Sequence, residues 1–133
     1  PQPPVLDKQV QNGIKRLEKR VTQLEKMATE AGALFEAIDR QVHVSALFQP
    51  SLDRERKSLT TVKSKLAALS GKIPGCQKLA DVEKISERLE ALVNQLIKAK
   101  TTVEPIADVA GVYGRGTRDL YPLRVLVEGG AQL

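Results

Sequence analysis

From Leu6 to Phe48 the chain contains no proline, and its apolar residues recur in alternating steps of four and three. Val10, Ile14, Leu17, Val21, Leu24, Ala28, Ala31, Phe35, Ile38 and Val42 keep one register throughout. A strand would alternate every second residue, so this spacing predicts a long helix over about residues 6–48. Unbroken, such a helix reaches roughly 60 Å at about 1.5 Å per residue. Gly13 and Gly32 each cost about 1 kcal/mol relative to alanine in a helix, which marks Gly32 as a place for a bend. With Ile14 at position a, the first half puts Ile or Val at a and Leu at d, as parallel two-stranded coils do. Met27 and Leu34 widen the stripe of the second half, as in a helix packed against two neighbours. The expectation is therefore a first half that projects or pairs as a coiled coil, and a second half built into a bundle.

Pro50 disfavours helical geometry in the residue before it, and Ser51 is the expected N-cap of a second helix over about 51–70. Its stripe is Leu52, Leu59, Val62, Leu66 and Leu69, and Gly71 with Pro74-Gly75 marks its end. A third helix over about 79–103 carries Val82, Ile85, Leu89, Leu92, Leu96, Ala99 and Val103, and Pro105 is expected to end or kink it. Residues 105–133 are punctuated by Gly111, Gly114, Gly116, Pro122 and Gly129-Gly130. They read as an irregular segment that docks on the bundle or on a partner. Pro1-Gln2-Pro3-Pro4 opens a linker over residues 1–5. Short connections favour antiparallel neighbours, so the predicted fold is an all-α antiparallel bundle extended by a coiled coil.

Composition narrows the function. Of 133 residues only 3% are aromatic, too few for a barrel core or for a platform that stacks bases. No apolar run approaches the roughly 20 residues of a membrane span. A single cysteine forms neither an internal disulfide nor a structural zinc site. No leader with a cleavage site is visible, and together with the lone thiol this points to an intracellular, cytoplasmic setting. Beginning on proline, the sequence reads as a processed chain or a piece of a longer one.

Candidate chemistry is thin. His43, the only histidine, is expected near the end of the first helix, where partial positive charge is favourable. Cys76 follows Pro74-Gly75 in a turn expected to be exposed, with Lys72 and Lys78 near enough to activate a thiolate. Gly111-Val112-Tyr113-Gly114-Arg115-Gly116-Thr117 lacks the Gly-Lys-Ser/Thr ending of a phosphate loop and reads as a flexible connection. Glu83, Glu87 and Glu90 share a helix face on which Lys84 and Arg88 are ordinary surface partners. No catalytic, cofactor-binding or metal-ligating residue is predicted, nor a small-molecule substrate.

Charge is more informative. Residues 51–78 carry seven basic and two acidic side chains, equal to the net +5 of the whole chain. Arg54, Arg56, Lys57, Lys63, Lys65, Lys72 and Lys78 form this basic patch. Two functions are compatible with the pattern. The first is a non-enzymatic interaction module that oligomerises or scaffolds subunits of a larger assembly through Val10, Ile14, Leu17, Val21 and Leu24. The second is a binding module whose basic helix meets an anionic polymer or surface: a microtubule, a nucleic-acid backbone or an acidic protein.

Overall fold

The computed structural model describes residues 7–41 and 44–113. Three helices, α1 (Lys8–Asp39), α2 (Gln49–Lys72) and α3 (Leu79–Ala110), pack against one another, and no strand occurs among the described residues. The expected all-α bundle is thus the observed architecture. Val42, His43 and residues 1–6 lie outside the described residues, as does all of the expected C-terminal segment beyond Tyr113.

The heptad stripe of α1 builds one wall of the core. Val10, Leu17, Val21, Leu24, Ala28, Ala31, Phe35 and Ile38 are all buried, and Ile14 is partly buried against them. Leu52, Leu59, Val62, Leu66 and Leu69 come from α2; Val82, Ile85, Leu89, Leu92, Leu96 and Val103 come from α3. Each fully buried Leu, such as Leu24 and Leu89 with no exposed surface, contributes about 1.5–3 kcal/mol over its solvated state.

Contacts fix the order of the helices. Asp39 of α1 meets Arg56 of α2, and Gly32 lies beside Leu59 and Lys63, so numbers rise on α1 as they fall on α2. Gly13 lies against Val82 and Arg20 meets Glu90, so α1 and α3 run in the same numerical sense. A Cβ on Gly13 would fall 2.8 Å from Val82 Cγ1. Gly13 is therefore a point of close helix approach and not a weak spot in a free coil.

Four boundaries differ from those expected. Helix α1 stops at Asp39, well short of residue 48, with no proline or glycine to announce it. Ser45 instead caps a single 3-10 turn, Ala46–Phe48, by accepting the Leu47 N–H at 3.2 Å. Helix α2 then begins at Gln49, two residues before Ser51, because Pro50 occupies the first turn, where a missing N–H costs nothing. At its far end α2 runs on past Gly71 to Lys72. Helix α3 runs through Pro105, which is exposed, so the carbonyl it leaves unbonded can face water. It ends at Gly111, whose φ of 87° is the left-handed conformation glycine adopts without cost. There the Val112 N–H donates to the Ala107 carbonyl and the Gly111 N–H to that of Asp108, a Schellman closure. At the other end of the molecule, Asp7 caps α1 by accepting the Gln9 N–H at 2.7 Å.

The narrow seam of the first half of α1, read as a projecting coil, faces the start of α3, as the Gly13–Val82 approach and the Arg20–Glu90 pair show. Helices α1 and α3 are both 32 residues long, so the first half of α1 has a partner along its whole length within the same chain.

Candidate functional site: a cationic groove between two helices

The five seam residues expected to meet another chain are inside this one. Val10, Leu17, Val21 and Leu24 expose 5% or less of their surface, and Ile14 packs on the same core. They reach a second chain only if the bundle opens.

The basic residues of 51–78 are divided by the helix into groups with different surroundings. Arg56 is tied down: Nη2 donates to Asp39 Oδ1 at 2.7 Å, Nη1 lies 3.5 Å from Asp53, and the guanidinium sits 5.2 Å from the Phe35 ring centre. Arg54 Nε donates to Glu55 Oε2 at 3.3 Å, giving that buried carboxylate a counter-charge. Lys63 lies beside Gly32 and shares a surface groove with Glu25. Lys57 and Lys78 are exposed. Asp81 Oδ2 accepts the Gln77 and Lys78 N–H groups at 3.1 and 3.3 Å, which fixes the start of α3.

Lys65 and Lys72 are placed differently. Seven residues apart, they share the α3-facing side of α2 with Ala68. Opposite them on α3, Lys84, Arg88, Ala91 and Gln95 follow at steps of four, three and four, again one face. Together with Leu69 and Leu92, all of these except Lys84 line a groove of about 350 Å³. A second hollow of about 250 Å³ continues it past Lys72 and Arg88 to Lys84, Ile85, Cys76 and the carboxylate of Asp81, which is already engaged by the Gln77 and Lys78 N–H groups. Lys65, Lys72, Lys84 and Arg88 are all exposed, and none forms an ion pair among the described residues.

The floor is apolar and shallow, because Ala68 and Ala91 stop short where a larger side chain would fill the gap. At one end, Gln95 Oε1 is buried and accepts no hydrogen bond among the described residues. Leaving a buried acceptor unsatisfied costs about 1–3 kcal/mol.

Sequence reasoning found Lys65 and Lys72 but missed Lys84 and Arg88, which it assigned to neighbouring glutamates. Glu90 instead crosses to Arg20 of α1, with Nη2 at 2.7 Å and Nε at 3.1 Å from Oε1. The signal was present in the spacing: Lys84 and Arg88 are four apart, on a face turned away from Glu83, Glu87 and Glu90.

Cys76 corrects another expectation. It is 2% exposed, and its thiol sits 4.0 Å from the Lys72 carbonyl. Burial pushes the Cys76 thiol above its ordinary range, and the nearby Asp81 carboxylate pushes it the same way. Activation by Lys72 and Lys78 does not arise, because the side chain is folded into the core beside Ile73.

Among the described residues, no group of three or more His, Cys, Asp and Glu could hold a metal ion, and no helix is long and apolar enough to cross a membrane. Set against protein-family models, curated proteins and solved structures, the chain matches none.

Proposed function

We propose that the chain is a non-enzymatic helical interaction module that holds an acidic protein partner on the basic face of its bundle. One observation carries this reading. Lys65, Lys72, Lys84 and Arg88 converge on the α2–α3 groove, none of them in an ion pair among the described residues, and the carboxylate that shares its lining, Asp81, is taken up by backbone N–H groups. By contrast, Arg20 and Arg56 at the other helix junctions are neutralised across the seam. Four cations against the single Asp81 carboxylate leave this edge net positive, and a partner bringing carboxylates neutralises the excess.

An acidic protein suits the site better than a nucleic-acid backbone because the floor between the cations is apolar, and phosphate makes no use of such a surface. Self-association through Val10, Ile14, Leu17, Val21 and Leu24 has less support, since these side chains are already consumed by the core. A setting inside the cell belongs to the same reading.

The test is reversal of charge. Lys65→Glu with Lys72→Glu should remove salt-sensitive binding to an acidic protein surface and leave the thermal transition near that of the native chain. Lys57→Glu with Lys78→Glu, equal in charge but outside the groove, should weaken binding far less. Equal loss in the two pairs would reduce the effect to net charge and contradict a localised site.

A further inference from the structure

The groove is built to a more particular shape than a basic patch, and we infer that its occupant is an acidic amphipathic α-helix laid along the α2–α3 seam as a fourth helix. This rests on the reading above and adds the form of the partner. From Lys84 to Gln95 the α3 wall spans roughly 16 Å at about 1.5 Å per residue, which is about three helical turns. An extended chain would cross that distance in about five residues and present alternate side chains to opposite sides. Such a chain would use the apolar floor poorly.

The lining itself is arranged in helical steps. Lys65 and Lys72 stand on one bank and Lys84 and Arg88 on the other. Ala68 and Ala91 lie between them, over Leu69 and Leu92. A helix with an apolar stripe would seat its aliphatic side chains over the two alanines. Glutamates flanking the stripe would then face cations on both sides. Small residues on the floor let the incoming backbone come close, and the cations on the rim choose the sign of its charge.

Gln95 supplies an independent observation. Its buried side-chain oxygen has no donor among the described residues, and it lies at the end of the groove away from Lys84. Closed to water as packed, it would meet a donor on the occupant, such as a Ser, Asn or Lys side chain, once the Gln95 side chain turns toward the groove. The free bundle thus carries an unmet hydrogen bond at the place where the partner would arrive.

The test uses synthetic peptides of about 18 residues, or five turns. One places Leu at i, i+3, i+4 and i+7 with Glu on both flanks and Ser near its end. The second has the same composition in scrambled order, so that no stripe forms. A short DNA duplex is the third probe. The full chain, Ala91→Phe and Lys65→Glu with Lys72→Glu are titrated with each by anisotropy, at low and moderate salt. Ala91 is exposed, so filling the groove there leaves the core intact, and far-UV circular dichroism checks that it does.

The amphipathic peptide should bind about tenfold or more tighter than its scrambled form, and Ala91→Phe should erase most of that difference. The charge-reversed variant should lose both peptides. Equal binding of the two peptides, or indifference to Ala91→Phe, would overturn the helical occupant while leaving an acidic partner in place. Failure of both peptides to bind, with the charge-reversed variant indistinguishable from the native chain, would overturn the acidic partner as well. Tighter binding of the duplex than of either peptide would assign the groove to nucleic acid and contradict both.

Discussion

The α1 side of α2 and its α3 side both carry cations, and the two differ in how those cations are partnered. Toward α1, Arg56 is held between Asp39 and Asp53 over the Phe35 ring. Along the neighbouring seam Arg20 is anchored on Glu90. Toward α3, Lys65 and Lys72 face Lys84 and Arg88, and no described carboxylate pairs with any of the four. The same contrast holds for packing. At the α1–α3 junction the helices touch so closely that Gly13 has no room for a Cβ beside Val82. At the α2–α3 edge, Ala68 and Ala91 leave a groove. One region resembles a completed interior and the other half of an interface, although both use the same seven-residue spacing.

The largest effect should come from breaking the finished region. Leu24→Ala deletes a side chain with no exposed surface, and should cost about 2–5 kcal/mol in denaturant unfolding. Ala68→Ser or Ala91→Ser in the groove should cost almost nothing by the same measurement. Comparable losses at the two places would erase the distinction between them.

The two glycines of α1 sharpen the comparison at the next level. Gly13→Ala drives its new methyl against the stiff, β-branched Val82, and overpacking of this kind costs about 1–3 kcal/mol, more than the helix-propensity gain. Gly32→Ala puts a methyl 3.5 Å from Lys63 Nζ and 4.0 Å from Leu59, an ordinary contact. It should stabilise the chain by about 0.5–1 kcal/mol. Opposite signs in two melting curves would confirm that only one glycine marks close approach. Gln95→Leu belongs to the unfinished region. Removing the orphaned oxygen should raise the stability of the free chain by about 1 kcal/mol. A loss there would mean that the oxygen is already satisfied.

Cys76 gives a smaller, pH-dependent effect. Its folded thiol ionises above its unfolded range, so its contribution is complete below that range. It is lost as pH rises through the folded value. The stability gap between the native chain and Cys76→Ala should therefore narrow from about pH 8 to about pH 10 in chemical denaturation. The native thiol should also react more slowly with a disulfide reagent than it does in denaturant. A gap that widens with pH would show the thiolate to be stabilised by the fold.

The existence of three helices and nearly all of their core residues was legible from apolar spacing, because a buried stripe must repeat every three or four residues whatever its partner is. What the spacing left open was which partner each stripe would find. Val10 to Leu24 read equally well as a coil seam and as a bundle wall, and the choice turned on which partner lies beside them, here the first half of α3. Separately, the end of α3 was misplaced at Pro105, where an exposed face tolerates the missing hydrogen bond. The true stop, Gly111, was visible in the sequence as a glycine but not as a helix terminus.

For the groove, Lys65 and Lys72 were legible as charge. Lys84 and Arg88 were hidden among glutamates of the same helix, because a linear count of charge does not record which face each side chain occupies. Gln95 gave no signal at all, since burial of a single amide oxygen depends on the tertiary packing of two helices.

The most direct test of the proposed α2–α3 seat is to locate where an acidic amphipathic helix binds the bundle. Backbone amide shifts of the full chain, followed during titration with the Leu- and Glu-bearing amphipathic peptide, would locate it. The predicted result is a continuous stripe of perturbed amides at Lys65, Ala68, Lys72, Lys84, Arg88, Ala91 and Gln95, with the exposed face of α1 unchanged. Perturbations centred on Lys15, Lys19 and Lys26, or spread evenly over every exposed lysine, would contradict it.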